Sequence, residues 1–279
     1  MNNNRFYLAV MFSFFLLQSV GISKDENNYP IILVHGFMGW GRDEMAGYRY
    51  WGGKFDIEEY LTENGFEVYT TSIGPVSSNW DRAIELFYQI KGGQVDYGKA
   101  HSDKFGITQK PSVKKFPGLY PEWDSDHPIH LIGHSMGGQT VRMLLYQLTH
   151  SIYSDSLDII LEESDLLGEE HSDWVRSITS ISTPHDGTTL SNIVTSTAPL
   201  LQDIIVLASA VGNDFYEFDL EQWKFNKSAD EIWIDYFRRM REHPAWKTKN
   251  ICSWDASING AKELNTLLTV ERSEERRVG

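Results

Sequence analysis

The strongest constraint in this 279-residue sequence is the pentapeptide Gly133–Gly137 (GHSMG), which separates two apolar patterns. Before it, Pro128–Ile132 has the length and composition of a buried strand, and after it Gly137–Leu148 has helical spacing. A serine in such a tight turn is held in a strained conformation, and only small residues on either side let strand and helix approach. The pattern predicts a nucleophilic Ser135. The alternative is an ordinary strand-to-helix turn.

Two backbone N–H groups are predicted to face a developing oxyanion beside this serine. The N–H of Met136 lies at the N-terminus of the predicted helix, where the helix dipole favours negative charge. A second donor is expected from a loop after an early strand, and His35-Gly36-Phe37 follows the β-branched run Pro30–Val34. We assign the second donor to Phe37 and expect His35 to support the loop. The alternative for His35 is a hydrogen-bonded histidine at a strand end.

Strand-like and helix-like patterns alternate along the chain. Strands are predicted at Pro30–Val34, Glu67–Ile73, Pro128–Ile132 and Ser177–Ser182, and helices at Asp56–Asn64, Trp80–Ile90 and Gly137–Leu148. Residues 228–267 are expected to be largely helical. This order favours a parallel sheet covered by helices on both faces. No repeat or low-complexity linker interrupts the pattern, so a single domain is predicted over residues 24–270.

The first 23 residues are predicted to be a signal peptide, and the protein to be secreted. Arg5 precedes a mostly apolar run, Phe6–Ile22, and small residues follow at Gly21 and Ser23. The alternative is a membrane anchor, but the run is short for a spanning helix. A formal charge of −14 excludes nucleic acid as a natural partner, and the single cysteine cannot form an intrachain disulfide.

Several short strings, taken together, resemble one family. They are PIILVHGFMGW at 30–40, YWGG at 50–53, SSNWDRA at 77–83, GG at 92–93, VDYG at 95–98, GHSMGGQ at 133–139, TPHDG at 183–187, QW at 222–223 and GAKELN at 260–265. In this combination the chain resembles the large secreted lipases of Gram-positive bacteria, of the staphylococcal and thermophilic bacillus types. The resemblance covers about residues 30 to 266.

The resemblance implies an α/β-hydrolase fold and a triacylglycerol or carboxylester hydrolase with a Ser-Asp-His triad. It also implies an apolar lid, a structural zinc, a calcium ion in the full-length protein and no organic cofactor. The implied substrate is a lipid ester at an oil–water or membrane interface, and no protein partner is implied. A phospholipase or short-chain esterase with the same residues remains open. So does a non-catalytic lipid-binding homologue, although a strained serine turn has no purpose in a pure binder.

The zinc implied by the resemblance is expected to bind weakly here. Two acids and two histidines bind it in the family, and the matching positions in this chain are Asp81, His101, Glu221 and Ile107. Isoleucine cannot be a ligand, which leaves three protein ligands and an open site. The alternative is that Asp81 pairs with a neighbouring residue and His101 is a surface histidine.

An apolar lid is predicted at Leu190–Gly212, where a buried core helix is the alternative. The triad acid and histidine are expected to be missing, because in this fold they follow the serine on later loops. The adjacent His185 and Asp186 share one loop, whereas the base and acid of a triad need separate loops, so this pair is not expected to complete the triad. His171 and His243 have no supporting context. The tail at 271–279 (ERSEERRVG) is predicted to be non-native, and a charged natural terminus is the alternative.

Overall fold

The computed structural model describes residues 28–153, 160–188, 216, 218–225, 227–228 and 230–269. The predicted signal peptide, the predicted lid at Leu190–Gly212 and the tail at 271–279 lie outside these residues. Within the part described, no helix combines the length and apolar character needed to cross a bilayer.

Strands and helices alternate, as the hydrophobic pattern predicts. In chain order the elements are β1 (Ile31–Val34), α1 (Ile57–Glu63), β2 (Val68–Thr70), α2 (Asn79–Lys91), β3 (Gly93–Gln94), α3 (Lys99–Phe105), β4 (Lys115–Phe116), β5 (Ile129–His134), α4 (Met136–Thr149), β6 (Val175–Ile181), α5 (Trp233–Arg241), α6 (Cys252–Asp255) and α7 (Ile258–Thr269). Three 3₁₀ turns lie at Met45–Gly47, Glu221–Trp223 and Pro244–Lys247.

The central sheet is parallel, in the order β2-β1-β5-β6. This confirms the predicted fold class of a parallel sheet with packed helices. The small antiparallel β3–β4 pair and helix α3 were not predicted, because two-residue strands and a seven-residue helix are too short to show a period. The strand predicted to reach Ile73 ends at Thr70, because the chain there leaves β1 for the loop that precedes α2.

Helices α2 and α4 pack against each other, and α4 also packs on β1, β5 and β6. Ile32, Val34, Ile129 and Leu131 are fully buried between these layers. Helix α2 is buried on almost its whole surface, including charged side chains. Buried charges are costly unless they are paired, so the charged side chains of α2 need hydrogen-bond or ion-pair partners in the interior.

Strand β6 is less well covered than the other strands of the sheet. Most of its side chains are exposed, and Ile181 is 42% exposed. Among the described residues β6 pairs only with β5, so its outer edge is open in this part of the structure.

Candidate active site

Ser135 occupies the turn between β5 and α4, and its backbone is strained. Its dihedral angles are φ 54° and ψ −127°, a region that L-residues rarely adopt. Its N–H donates to the carbonyl oxygen of Ile181 at 2.8 Å, which ties the turn to the end of β6. A strained conformation held by its surroundings is consistent with the predicted nucleophile turn.

The glycines around Ser135 are needed because backbone segments approach each other closely. A Cβ atom on Gly133 would lie 2.4 Å from the carbonyl carbon of Gly137. A Cβ atom on Gly137 would lie 2.3 Å from the carbonyl oxygen of Val34, at the end of β1. Any side chain at either position would therefore push α4 away from the strands.

The loop after β1 lies directly beside the serine. A Cβ atom on Gly36 would lie 2.7 Å from the Cβ and 3.1 Å from the Oγ of Ser135. Among the described residues, no acceptor receives a hydrogen bond from the N–H of Phe37 or of Met136. The structure thus brings together the loop and the helix end predicted to supply the two oxyanion donors, and leaves both N–H groups available.

His35 is buried and hydrogen-bonded to this loop. Its Nδ1–H donates to the Gly36 carbonyl oxygen at 2.9 Å, and its Nε2 accepts from the Ile73 N–H at 3.2 Å. Burial, together with the nearby Arg82 cation, lowers the pKa of His35 to about 3. With both ring nitrogens engaged and the ring neutral, His35 is not available as a catalytic base.

Arg82 was not predicted from the sequence, yet it anchors the same loop. Its guanidinium is fully buried and donates to the carbonyl oxygens of His35 at 2.5 Å and Gly74 at 2.7 Å, and to Thr140 Oγ1 at 3.0 Å. Burial lowers its pKa to about 10, so it stays charged at neutral pH. One side chain therefore joins the β1 loop to α4. An arginine near the start of a predicted helix was the available signal.

Tyr50 is a second residue that the sequence did not single out. Its hydroxyl accepts from the Gly36 N–H at 2.9 Å and lies 2.5 Å from Nδ1 of His134. Because Gly36 precedes Phe37 and His134 precedes Ser135, this hydroxyl joins the two halves of the candidate site. Its only sequence signal was its place in the string YWGG.

No histidine among the described residues hydrogen-bonds to Ser135. His185, in the loop after β6, has Nδ1 3.0 Å from an Arg142 guanidinium nitrogen. His171 binds the Asp165 carbonyl oxygen, and His243 caps the 3₁₀ turn by accepting from the Ala245 N–H. These three histidines have local structural partners, and none contacts the serine.

The predicted metal ligands are only partly brought together. Nε2 of His101 lies 2.7 Å from Oδ1 of Asp81, whereas the Glu221 carboxylate lies beside Lys114. Ile107 is buried in the hydrophobic core. Among the described residues, no group of three histidine, cysteine or acidic side chains could hold a metal ion.

Comparison with known proteins agrees with this architecture. The family model described as "Lipase-like, C-terminal domain" matches residues 27–273. The chain is 38% identical over 249 residues to Lipase 1 of Staphylococcus aureus (strain NCTC 8325 / PS 47), a match covering 86% of this chain and 36% of that protein. It thus spans about a third of the length of the curated relatives it matches.

Solved structures give the same result. The structure of EstA from Clostridium botulinum is 44% identical, with a TM-score of 0.73 over 87% of this chain and 57% of that one. The Staphylococcus hyicus lipase is 34% identical, with a TM-score of 0.79 over 87% of this chain and 64% of that one. The chain therefore belongs to the lipase-like, C-terminal domain family, together with the staphylococcal lipases.

Proposed function

We propose that the protein is a carboxylic ester hydrolase of the triacylglycerol lipase type, with Ser135 as its nucleophile. The observation that carries this proposal is the strained Ser135 turn, packed against the Gly36 loop with two unengaged N–H groups on adjacent segments. Membership of a family that includes staphylococcal lipases supports the same activity.

In this mechanism the Ser135 Oγ attacks the ester carbonyl carbon, and the carbonyl oxygen takes up negative charge. The N–H groups of Phe37 and Met136 donate to that oxyanion, and the N-terminus of α4 adds its dipole. The serine proton passes to a histidine oriented by an aspartate, and both lie outside the described residues. His35, Arg82 and Tyr50 hold the donor loop in place.

We propose that the natural protein continues beyond this chain and supplies that aspartate and histidine on later loops. The open edge of β6 and the greater length of the relatives support this proposal. The 279-residue chain alone is expected to hydrolyse esters poorly. Any residual rate would come from substrate binding and the oxyanion donors, which give roughly 10³–10⁴-fold over water in a serine protease.

Secretion and action at a lipid surface are part of the same proposal. The N-terminal pattern supports export, and the apolar segment Leu190–Gly212 supports a lid that opens where lipid replaces water. The resemblance further implies calcium binding in the full-length protein. Emulsified tributyrin, soluble p-nitrophenyl butyrate and phosphatidylcholine vesicles would distinguish lipase, short-chain esterase and phospholipase.

The test compares three proteins on these substrates: this chain, the full natural gene product, and the full product carrying Ser135→Ala. The full product should hydrolyse tributyrin, and Ser135→Ala should lose at least about 10³-fold in kcat. An unchanged rate in Ser135→Ala would reject the nucleophile. High activity in the 279-residue chain, abolished by His185→Ala, would instead show that the triad is completed internally.

A further inference from the structure

The Asp81 carboxylate is already enclosed by hydrogen-bond donors. Oδ1 lies 2.7 Å from Nε2 of His101, and Oδ2 accepts from Nδ2 of Asn250 at 3.0 Å and from Nε2 of Gln222 at 3.4 Å. The Ser78 hydroxyl donates to Oδ1 of Asn250 at 2.5 Å, which orients that amide. Asp81 is completely buried, and its charge is stabilised without a metal ion.

His101 is fixed in this arrangement by its neighbours. Its ring is stacked on Trp80, with centroids 5.3 Å apart and planes at 14°, and Phe105 lies 4.9 Å away on a tilted plane. Only 11% of its side chain is exposed. The ring is therefore positioned to donate its Nε2–H to Asp81, and a protonated Nε2 has no free lone pair for a metal ion.

Glu221 is engaged elsewhere, because the 3₁₀ turn Glu221–Trp223 sends successive side chains in different directions. Gln222 reaches Asp81, whereas Oε2 of Glu221 lies 3.5 Å from Nζ of Lys114. Lys114 is 3% exposed and also lies 2.8 Å from Oε1 of Glu85 and 3.3 Å from Oδ1 of Asp219. The acid at the expected third ligand position is thus paired with a buried ammonium group.

These residues do not fit a zinc site. Ile107 provides no metal ligand, and the Glu221 carboxylate forms an ion pair with Lys114 at 3.5 Å. The hydrogen-bond donors around Asp81 are two amides and one imidazole. Amide N–H groups repel a cation, and zinc prefers sulfur, imidazole nitrogen or carboxylate oxygen. At Glu221 the positive charge comes from Lys114, and at Asp81 the hydrogen-bond donors come from the amide and imidazole side chains.

We propose that two metal-free clusters replace the zinc site in this protein. The Asp81 cluster consists of Asp81, His101, Gln222 and Asn250, and the Lys114 cluster consists of Lys114, Glu85, Asp219 and Glu221. Together they join α2, α3, the Glu221–Trp223 turn and the loop before α6. The stability of this region is therefore independent of zinc.

The first test is a pair of thermal melts of the 279-residue chain, one with EDTA and one with excess zinc chloride, with metal analysis of the purified protein. We expect equal melting temperatures and less than stoichiometric zinc. One bound zinc per chain, or a clear rise in Tm with zinc, would overturn the proposal, because a native-state ligand must stabilise the fold.

The second test removes one donor from each cluster. Asn250→Ala and Lys114→Met should each lower Tm by roughly 3 °C or more, equally with EDTA and with zinc, because each removes one hydrogen-bond or ion-pair partner from a buried carboxylate. The matched control is Lys99→Met, which removes an ion pair between two exposed side chains, Lys99 (63% exposed) and Asp103 (68% exposed), and should change Tm little. Unchanged Tm in both cluster variants would overturn the proposal.

A third readout remains available if Lys114→Met fails to fold. Lys114→Arg keeps the cation and should retain Tm better than the methionine variant. In the parent protein, ¹⁵N imidazole spectra should show His101 with a proton on Nε2, unchanged by added zinc. Loss of that proton signal on adding zinc would mean that the metal binds Nε2 in place of the hydrogen bond to Asp81, and this would overturn the proposal.

Discussion

The hydroxyl of Tyr50 lies 2.5 Å from Nδ1 of His134, and the same hydroxyl accepts the Gly36 N–H at 2.9 Å. The hydroxyl accepts from the glycine and forms a hydrogen bond with the histidine. Since His134 and Gly36 each precede a residue of the candidate site, the phenol sets the spacing between the serine turn and the donor loop. Burial raises the pKa of Tyr50, which keeps the hydroxyl protonated for this role.

Replacing Tyr50 with phenylalanine should remove this link while keeping the ring. The Gly36 N–H then loses its acceptor, which costs about 1–3 kcal/mol for a buried donor. We expect a Tm lower by several degrees in thermal melts of Tyr50→Phe, and a lower kcat on tributyrin in the full gene product. Tyr60→Phe is the matched control, because that side chain is 50% exposed and should be neutral. Equal Tm values for the two variants would contradict the assigned role.

Arg82→Met should be strongly destabilising. It leaves the carbonyl oxygens of His35 and Gly74 without their donor in the interior, and a loss of more than about 3 kcal/mol is expected. Urea unfolding measures this change. The control is Arg238→Met, since Arg238 is 63% exposed and its pair with Asp235 contributes little. A loss under about 1 kcal/mol for Arg82→Met would show that the carbonyl oxygens find other donors.

His35 should make the fold sensitive to acid. Its folded-state pKa is lowered from 6.5 to about 3. Between these two pH values the unfolded chain binds a proton at His35, whereas the folded chain does not. The stabilisation is complete above pH 6.5 and is lost as pH falls toward 3, with a contribution of up to about 1.4 kcal/mol per pH unit. Imidazole NMR should show His35 as the neutral Nδ1–H tautomer at pH 5. A protonated His35 ring in folded protein at that pH would refute this assignment.

Asp255 should have the opposite effect on how stability changes with pH. Burial raises its pKa to about 7, although it accepts the Asn79 N–H. A raised carboxyl pKa means that the folded chain holds the proton more tightly, so this stabilisation is present below about pH 4 and is lost as pH rises through about 7. Asp255→Asn should therefore raise Tm at pH 8 relative to the parent and change it less at pH 4. Asp235→Asn, at an exposed position, should not show this pH-dependent difference.

The sequence alone was sufficient for the fold class and for the position of the serine turn. Apolar runs such as Pro30–Val34 and Pro128–Ile132 are local patterns, and both are strands of the parallel sheet. The close approach of Gly133 to Gly137 is equally local, whereas the approach of Gly137 to Val34 on β1 joins distant parts of the chain. The support role of His35 was predicted from its place in the expected donor loop, and in the structure both of its ring nitrogens are hydrogen-bonded.

Only the tertiary structure determined which distant side chains meet. Tyr50 contacts His134 across 84 residues, and Asn250 contacts Asp81 across 169, and no period or motif encodes such pairs. The same reason explains why the expected metal ligands do not meet. Similarity of the strings around Asp81, His101 and Glu221 predicted one cluster, but in the structure Glu221 pairs with the buried Lys114. A local pattern specifies the backbone, whereas the partner of a buried charge depends on every segment that packs around it.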